Sequence, residues 1–377
     1  MKQIARERDP PIHGNRPLPR ICVVGPVPPP SGGMANQCEQ LVRLLRAEGV
    51  DVELVRNNLP CRPLWLERIP VARACFRLVL YLLRLWQAVG RADVMHVLAN
   101  SGWAWHLFAT PAVVIARLRS IAVIINYRGG NADEFFASAP VHVLKMLAGV
   151  SLRVTPSVFL QKVFAKYGLL AEVIPNIIDL SRFSPSPPRA FGQNPHLVVT
   201  RNLEPIYDIA MAIRAFARIQ KIFAGAQLTI AGSGAELARL QALAADMGLN
   251  HAVRFSGRID NSDIPQLYAS ADCLINPSTV DNMPISILEA FASGVPVAST
   301  CAGGIPDMLE HGVSGLLVPI GDDTAMAGEV LRILQSPPLA ASLRRAGLVE
   351  AEKYSWPEVR GQWLNAYCRV APLGNQP

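Results

Sequence analysis

The sequence predicts an α/β protein of two doubly wound domains, and three observations carry the prediction. Short apolar runs alternate with segments of helical periodicity along nearly the whole chain. That rhythm breaks clearly at "SPSPPRAFGQNP" (184–195), a proline- and glycine-rich stretch, and then restarts. At 377 residues the chain is also too long for a comfortable single core.

The elements follow in order. "ICVVG" (21–25) reads as a buried strand, and the loop "PVPPPSGG" leads into a helix over about 34–47, stopped by Gly49. "DVELV" (51–55) is a second strand, 71–89 a long helix, "DVMHVL" (93–98) a strand and "WAWHLFATPAVVIARL" a helix. "IAVIIN" (121–126) is a strand, and "SVFLQKVFAKYG" a helix with Ser157 as N-cap and Gly168 just past its end. "AEVIPN" closes this half. Beyond the linker, "HLVVT", "AQLTIAG", "AVRFSG", "ADCLINPS", "VPVAST" and "GLLVP" are strands with helices between them. The division is a flexible tail (1–19), a first domain (20–183), the linker (184–195) and a second domain (196–351). A C-terminal helical segment (352–377) can pack back towards the first domain.

Half of the residues are apolar and 17% are charged, so most of the chain should fold. The net charge of +7 is unevenly placed, because residues 1–128 hold 17 Lys/Arg against 8 Asp/Glu. An anionic partner for the first half follows. Nucleic acid is disfavoured, since no finger, RNP-like run or basic heptad accompanies the charge. A membrane surface or a phosphorylated acceptor fits. Arg73, Arg77, Arg84 and Arg91 form a stripe on the strongly apolar helical region 71–91. Such a stripe suits an anionic membrane surface, or equally the solvated edge of a packed helix. Seven scattered cysteines show neither zinc nor redox spacing, which suggests a reducing compartment. With no apolar leader and no convincing membrane span, a cytoplasmic protein is expected.

In parallel sheets of this kind ligands bind beyond the carboxyl ends of the strands, so the loops there are the candidates. Gly32 and Gly33 precede a helix, where the backbone can approach an anion closely. Arg128 stands before two glycines in "YRGGNADEFF", poised for a phosphate or carboxylate, or else paired to Asp133 or Glu134. "AGSGAEL" (231–237) and the Gly-Gly loop within "STCAGGIPDMLEHGVSGLLV" could present amides or simply turn the chain. "NPSTVDNMPISILEAFASGVPVAST" is the richest stretch. Pro284 suits the first turn of the next helix, so Asp281 lies in the loop before it and Glu289 about one turn into that helix. The loop carboxylate and the helix amides can converge on one small ligand, although a helix-start Glu also suits the macrodipole. His96 is a catalytic or acceptor-side candidate, while a lone His ending a buried strand is more often structural. Asn100, just beyond, is taken as acceptor-side.

Taken together, "DNMPISILEAFASGVPVAST", "AGGIPDMLEHGVSGLLV" and "VIPNIIDLSRF" resemble the bacterial retaining glycosyltransferases of family four, over 21–367. The resemblance implies the GT-B fold, two Rossmann-like domains facing a central cleft. It further implies transfer of a sugar from a nucleotide-diphosphosugar to an acceptor hydroxyl with retention, and no cofactor or essential metal. The family's acidic pair matches Asp281, near the donor sugar, and Glu289, on the ribose hydroxyls. The backbone of Asn282, Met283, Pro284 and Ile285 would hold sugar and phosphate, Gly32 and Gly33 would approach the diphosphate, and Arg201 would neutralise it. Arg258 is placed near the base.

Two departures stand out. The Lys that usually follows the Arg is absent, with Ile206 or Tyr207 in its place, and the family's N-domain His is replaced by Arg128. Arg128 is therefore expected to supply the missing charge. The favoured acceptor is a polyprenyl-diphosphate-linked glycan in exopolysaccharide or lipopolysaccharide assembly, met at the inner face of the plasma membrane. A nucleotide-sugar epimerase and a non-catalytic nucleotide-sugar-binding partner are the alternatives.

Overall fold

Two six-stranded sheets, parallel throughout, form the centres of the two halves. They are seen in a computed structural model that describes residues 18–29, 32–59, 70–185, 192 and 194–371. Most of the expected tail and most of the linker therefore lie outside the described residues, while Leu18 and Pro19 already pack on the first domain.

The first sheet comprises β1 (Ile21–Gly25), β2 (Val52–Arg56), β3 (Val94–Ala99), β4 (Ala122–Tyr127), β5 (Leu152–Thr155) and β6 (Glu172–Val173), in the order β2-β1-β3-β4-β5-β6. All of β1 and β3 is buried, as strands covered on both faces must be. Helix α1 (Gly33–Ala47) lies on one face. On the other lie α2 (Pro70–Val89), α3 (Thr110–Leu118), α4 (Ala132–Ser138), α5 (Val141–Ala148) and α6 (Val158–Lys166), which share one core with the strands. The helix ends obey the local chemistry. Ser157 Oγ accepts from Leu160 N at 3.3 Å at the start of α6, and Gly168 leaves it at φ +72°.

The second sheet comprises β7 (His196–Val199), β8 (Gln227–Ala231), β9 (Val253–Gly257), β10 (Cys273–Asn276), β11 (Val297–Thr300) and β12 (Leu316–Val318), in the order β12-β11-β10-β7-β8-β9. Its helices are α7 (Ile209–Gln220), α8 (Leu237–Asp246), α9 (Ile264–Ser270), α10 (Ile285–Ala292), α11 (Asp323–Gln335) and α12 (Pro337–Glu352). Helix α13 (Trp356–Val370) crosses back to the first sheet. There Val359, Trp363, Leu364, Ala366 and Tyr367 join the core of β1, β3 and α1.

Three details differ from expectation. The strand β5 was not anticipated, since "LRVT" is short and interrupted by Arg153, whose head group binds the carbonyls of Leu147, Ala148 and Leu170. The helical run before α3 opens into a wide turn at Trp105–Ala109, just ahead of Pro111, which has no N–H to offer the preceding turn. Pro284 caps α10 from outside in extended backbone (ψ 121°) instead of occupying its first turn.

Candidate functional site

The carboxyl ends of both sheets face a cleft of about 500 Å³. Gly32 and Gly33 enter it at the start of α1, Asn100 and Ser101 after β3, Arg128 after β4, and Arg201 after β7. Arg258 enters after β9, and the run Val280–Ser286 with Glu289 comes from the loop after β10 and the start of α10. Every candidate site residue read from the sequence lines this cleft except His96 and the glycines Gly303 and Gly304.

His96 is corrected by its surroundings. It is fully buried in β3 and stacks on Trp363 of α13 with ring centroids 4.7 Å apart. Its Nδ1 lies 2.7 Å from the Tyr367 hydroxyl and its Nε2 3.2 Å from Asn126 Nδ2. Burial presses its pKa down to about 3, so the ring stays neutral. It joins the sheet to α13 and has no access to an acceptor.

The charged residues lining the cleft, among those described, are Arg128, Arg201, Arg258, Glu204, Asp281 and Glu289. Arg201 pairs with Asp281 and lies over the Tyr207 ring, 4.1 Å from its centroid. So Tyr207, one of the two residues that can stand where the family has its lysine, packs its ring against the neighbouring cation. The Tyr207 turn is set by Asp208, which adopts φ +36° and accepts from Met211 N at 3.2 Å to start α7. Burial raises Asp281 above the usual carboxylate range, against the pull of Arg201.

Glu289 faces the cleft from the second turn of α10. Desolvation pushes its pKa up to about 7, while the Tyr268 hydroxyl, donating to Oε2 at 3.1 Å, works the other way. Thr200 Oγ1 lies 2.7 Å from that hydroxyl, so β7, α9 and α10 are linked at one point. Tyr268 was missed from the sequence; "QLYAS" carries no signal beyond that of an ordinary buried helix.

Arg128 is not held by Asp133 or Glu134. Its Nη1 donates to Asn176 Oδ1 at 2.5 Å, and its Nε is buried with no protein partner. Burial lowers its pKa to about 10, leaving it cationic near neutrality. The same loop is tied to the second domain. Asn282 Nδ2 donates to the carbonyls of Arg128 and Gly129 at 3.1 and 2.9 Å, and Asn176 Nδ2 to that of Met283 at 2.8 Å. Asn176 lies within "VIPNIIDLSRF", but its partners are 48 and 107 residues away, beyond any spacing argument.

The two glycine-rich loops of the second domain have separate roles. Gly232 lines the cleft, and a Cβ there would run into the Arg201 carbonyl. Gly303 (φ +54°) and Gly304 lie behind the cleft, where a Cβ would strike the carbonyls of Asp281 and Asn282. They support the loop that carries Asp281, and Gly304 N donates to the Asp281 carbonyl at 2.8 Å.

The sequence and the fold have counterparts among known proteins. Residues 183–348 match the family model described as "Glycosyl transferases group 1". The chain is 30% identical over 217 residues to a GDP-mannose-dependent alpha-(1-6)-phosphatidylinositol monomannoside mannosyltransferase of Mycolicibacterium smegmatis, covering 54% of this chain and 55% of that one. It is 28% identical over 176 residues to N-acetyl-alpha-D-glucosaminyl L-malate synthase of Bacillus anthracis, covering 46% and 45%. The chain thus spans about half the length of the curated relatives it matches. Among solved structures, sucrose-phosphate synthase of Thermosynechococcus elongatus superposes with a TM-score of 0.74 at 20% identity, covering 93% of this chain and 99% of that one. Anabaena Alr3699/HepE, solved in complex with UDP-glucose, gives 0.73 at 18% identity, covering 93% and 99%. The fold is GT-B, and the resemblance to the glycosyltransferases of family four is upheld by these comparisons.

Proposed function

We propose that the cleft transfers a sugar from a nucleotide-diphosphosugar to an acceptor hydroxyl, with retention at the anomeric carbon. The observation that carries the reading is the convergence, in one interdomain cleft, of the Arg201–Asp281 pair, Arg128, Glu289 and the glycine-led start of α1. In this reading Glu289 accepts from the ribose hydroxyls. The backbone of Asn282, Met283, Pro284 and Ile285 holds sugar and phosphate, and Arg258 lies towards the base. Breaking the bond between the sugar and the diphosphate leaves negative charge on the diphosphate. Arg201 from one domain and Arg128 from the other stabilise it as it develops, and no essential metal is invoked. Gly32 and Gly33 let the α1 amides approach the same group.

The acceptor side is formed by Asn100 and Ser101 at the end of β3. A lipid-linked glycan suits the excess of arginine in the first half, and places the enzyme in surface-polysaccharide assembly at the inner face of the plasma membrane. The epimerase alternative has no support among the relatives named above.

The test is release of nucleoside diphosphate from a panel of UDP-, GDP-, ADP- and dTDP-sugars, with and without membrane lipid extract, with Glu289→Ala alongside. Lipid-dependent release from one donor, lost in the variant, is the expected result. Conversion of the donor without release, or binding without turnover, would contradict transfer.

A further inference from the structure

The outer face of α2 and α3 has no described protein covering. On α2, Val79, Leu83 and Trp86 are 54%, 56% and 45% exposed, at the spacing of one helix stripe. Along the neighbouring helical run, Trp103, Val114 and Leu118 are 80%, 42% and 71% exposed. Both helices bury their opposite faces in the same core of the first sheet, so the two stripes look outward on one side of the domain. They are also joined directly. Tyr81 Oη donates to the Phe108 carbonyl at 2.8 Å, and the Arg119 guanidinium lies 4.0 Å from the centre of the Trp86 ring.

Along the chain that builds these two helices the charge is almost all of one sign. Between Arg73 and Ala132 the only acid is Asp93, and it is bound to Arg20 at 3.0 Å. The same span carries seven arginines, of which Arg84, Arg91 and Arg117 are exposed. Apolar side chains rimmed by arginine, with tryptophan among them, match the headgroup boundary of an anionic bilayer. A second copy of this chain fits less well, because a self-complementary contact would bring two arginine sets together. No described helix is long and apolar enough to cross a membrane, so α2 can lie on a bilayer but not span it.

The position of the face is as telling as its composition. Trp103 follows two residues after Ser101, which lines the cleft beside Asn100. We propose that the α2–α3 face docks on an anionic lipid surface, with Trp103 marking where that surface meets the acceptor side of the cleft. Docking itself follows from the face alone, whereas its link to an acceptor rests on the transferase reading. The proposal thereby favours a lipid-borne acceptor over a free soluble one.

The experiment is flotation of the full chain with phosphatidylcholine vesicles, with and without phosphatidylglycerol, at low and raised salt. Binding of UDP, GDP, ADP and dTDP is measured on the same samples. Wild type should float with the anionic vesicles and dissociate as salt rises. Leu83→Asp combined with Leu118→Asp should weaken flotation at least about tenfold, since both apolar contacts are lost. Both sites are exposed, so nucleotide affinity should stay at the wild-type value. Absence of wild-type flotation on anionic vesicles would overturn the proposal, as would equal flotation by the double variant. A wild-type dimer that the double variant dissolves would overturn it too, assigning the face to a second copy. Flotation without binding of any of the four nucleotides would sustain the docking face and count against the transferase reading.

Discussion

At the residue scale, in the proposed reading, a few charges must hold a diphosphate. Arg201 is held by Asp281 on one side and by the Tyr207 ring, 4.1 Å away, on the other. If the ring serves as a platform, Tyr207→Phe should keep near-normal turnover and Tyr207→Leu should lose about five- to thirtyfold in kcat/KM. Arg201→Ala should cost about a hundredfold or more. In an Arg201→Ala background Tyr207→Leu should then add nothing, and additive losses would refute the platform. Glu289 gives a pH signature. Its pKa of about 7 lies above the usual carboxylate range, and the ionised form is the stronger acceptor for a pair of hydroxyls. Nucleotide affinity should therefore rise with pH through about 7 and level off, while Glu289→Gln removes the dependence. For folding the sign is opposite. A carboxyl that holds its proton more tightly when folded lowers stability as pH climbs from the ordinary carboxylate range to about 7. The same variant should flatten that slope in urea titrations.

At the element scale, local chemistry made much of the fold legible. The β–α alternation showed the parallel sheets, Ser157 and Gly168 marked the ends of α6, and the glycine-rich loops pointed to the strand ends where the cleft lies. What escaped were contacts made at long range. His96 was a candidate because a histidine at a strand end is chemically conspicuous, and only the return of α13 shows that Trp363 and Tyr367 enclose it. Tyr268 and Asn176 escaped for the same reason, since each acts through a partner on another element. His96→Ala should destabilise the protein by about 3 kcal/mol, by opening a cavity against Trp363 and leaving the Tyr367 hydroxyl unpaired. Wild-type stability in the variant, measured by urea unfolding, would mean that α13 is held without it.

At the scale of the whole molecule, two domains of opposite charge character meet over one cleft, joined by Asn282 and Asn176 across the domain boundary. In the proposed reading Arg128 makes the first domain part of the donor site, since that cation sits on the loop which Asn282 binds. The central claim is that this composite cleft moves a sugar from a nucleotide to an acceptor. Its most direct test follows a radiolabelled sugar from the donor that is turned over into the lipid fraction, comparing wild type with Arg128→Ala. The account predicts label in the lipid product for wild type and a loss of about tenfold or more in the variant. Label that never leaves the nucleotide pool would contradict transfer. Equal transfer by the variant would contradict the shared site.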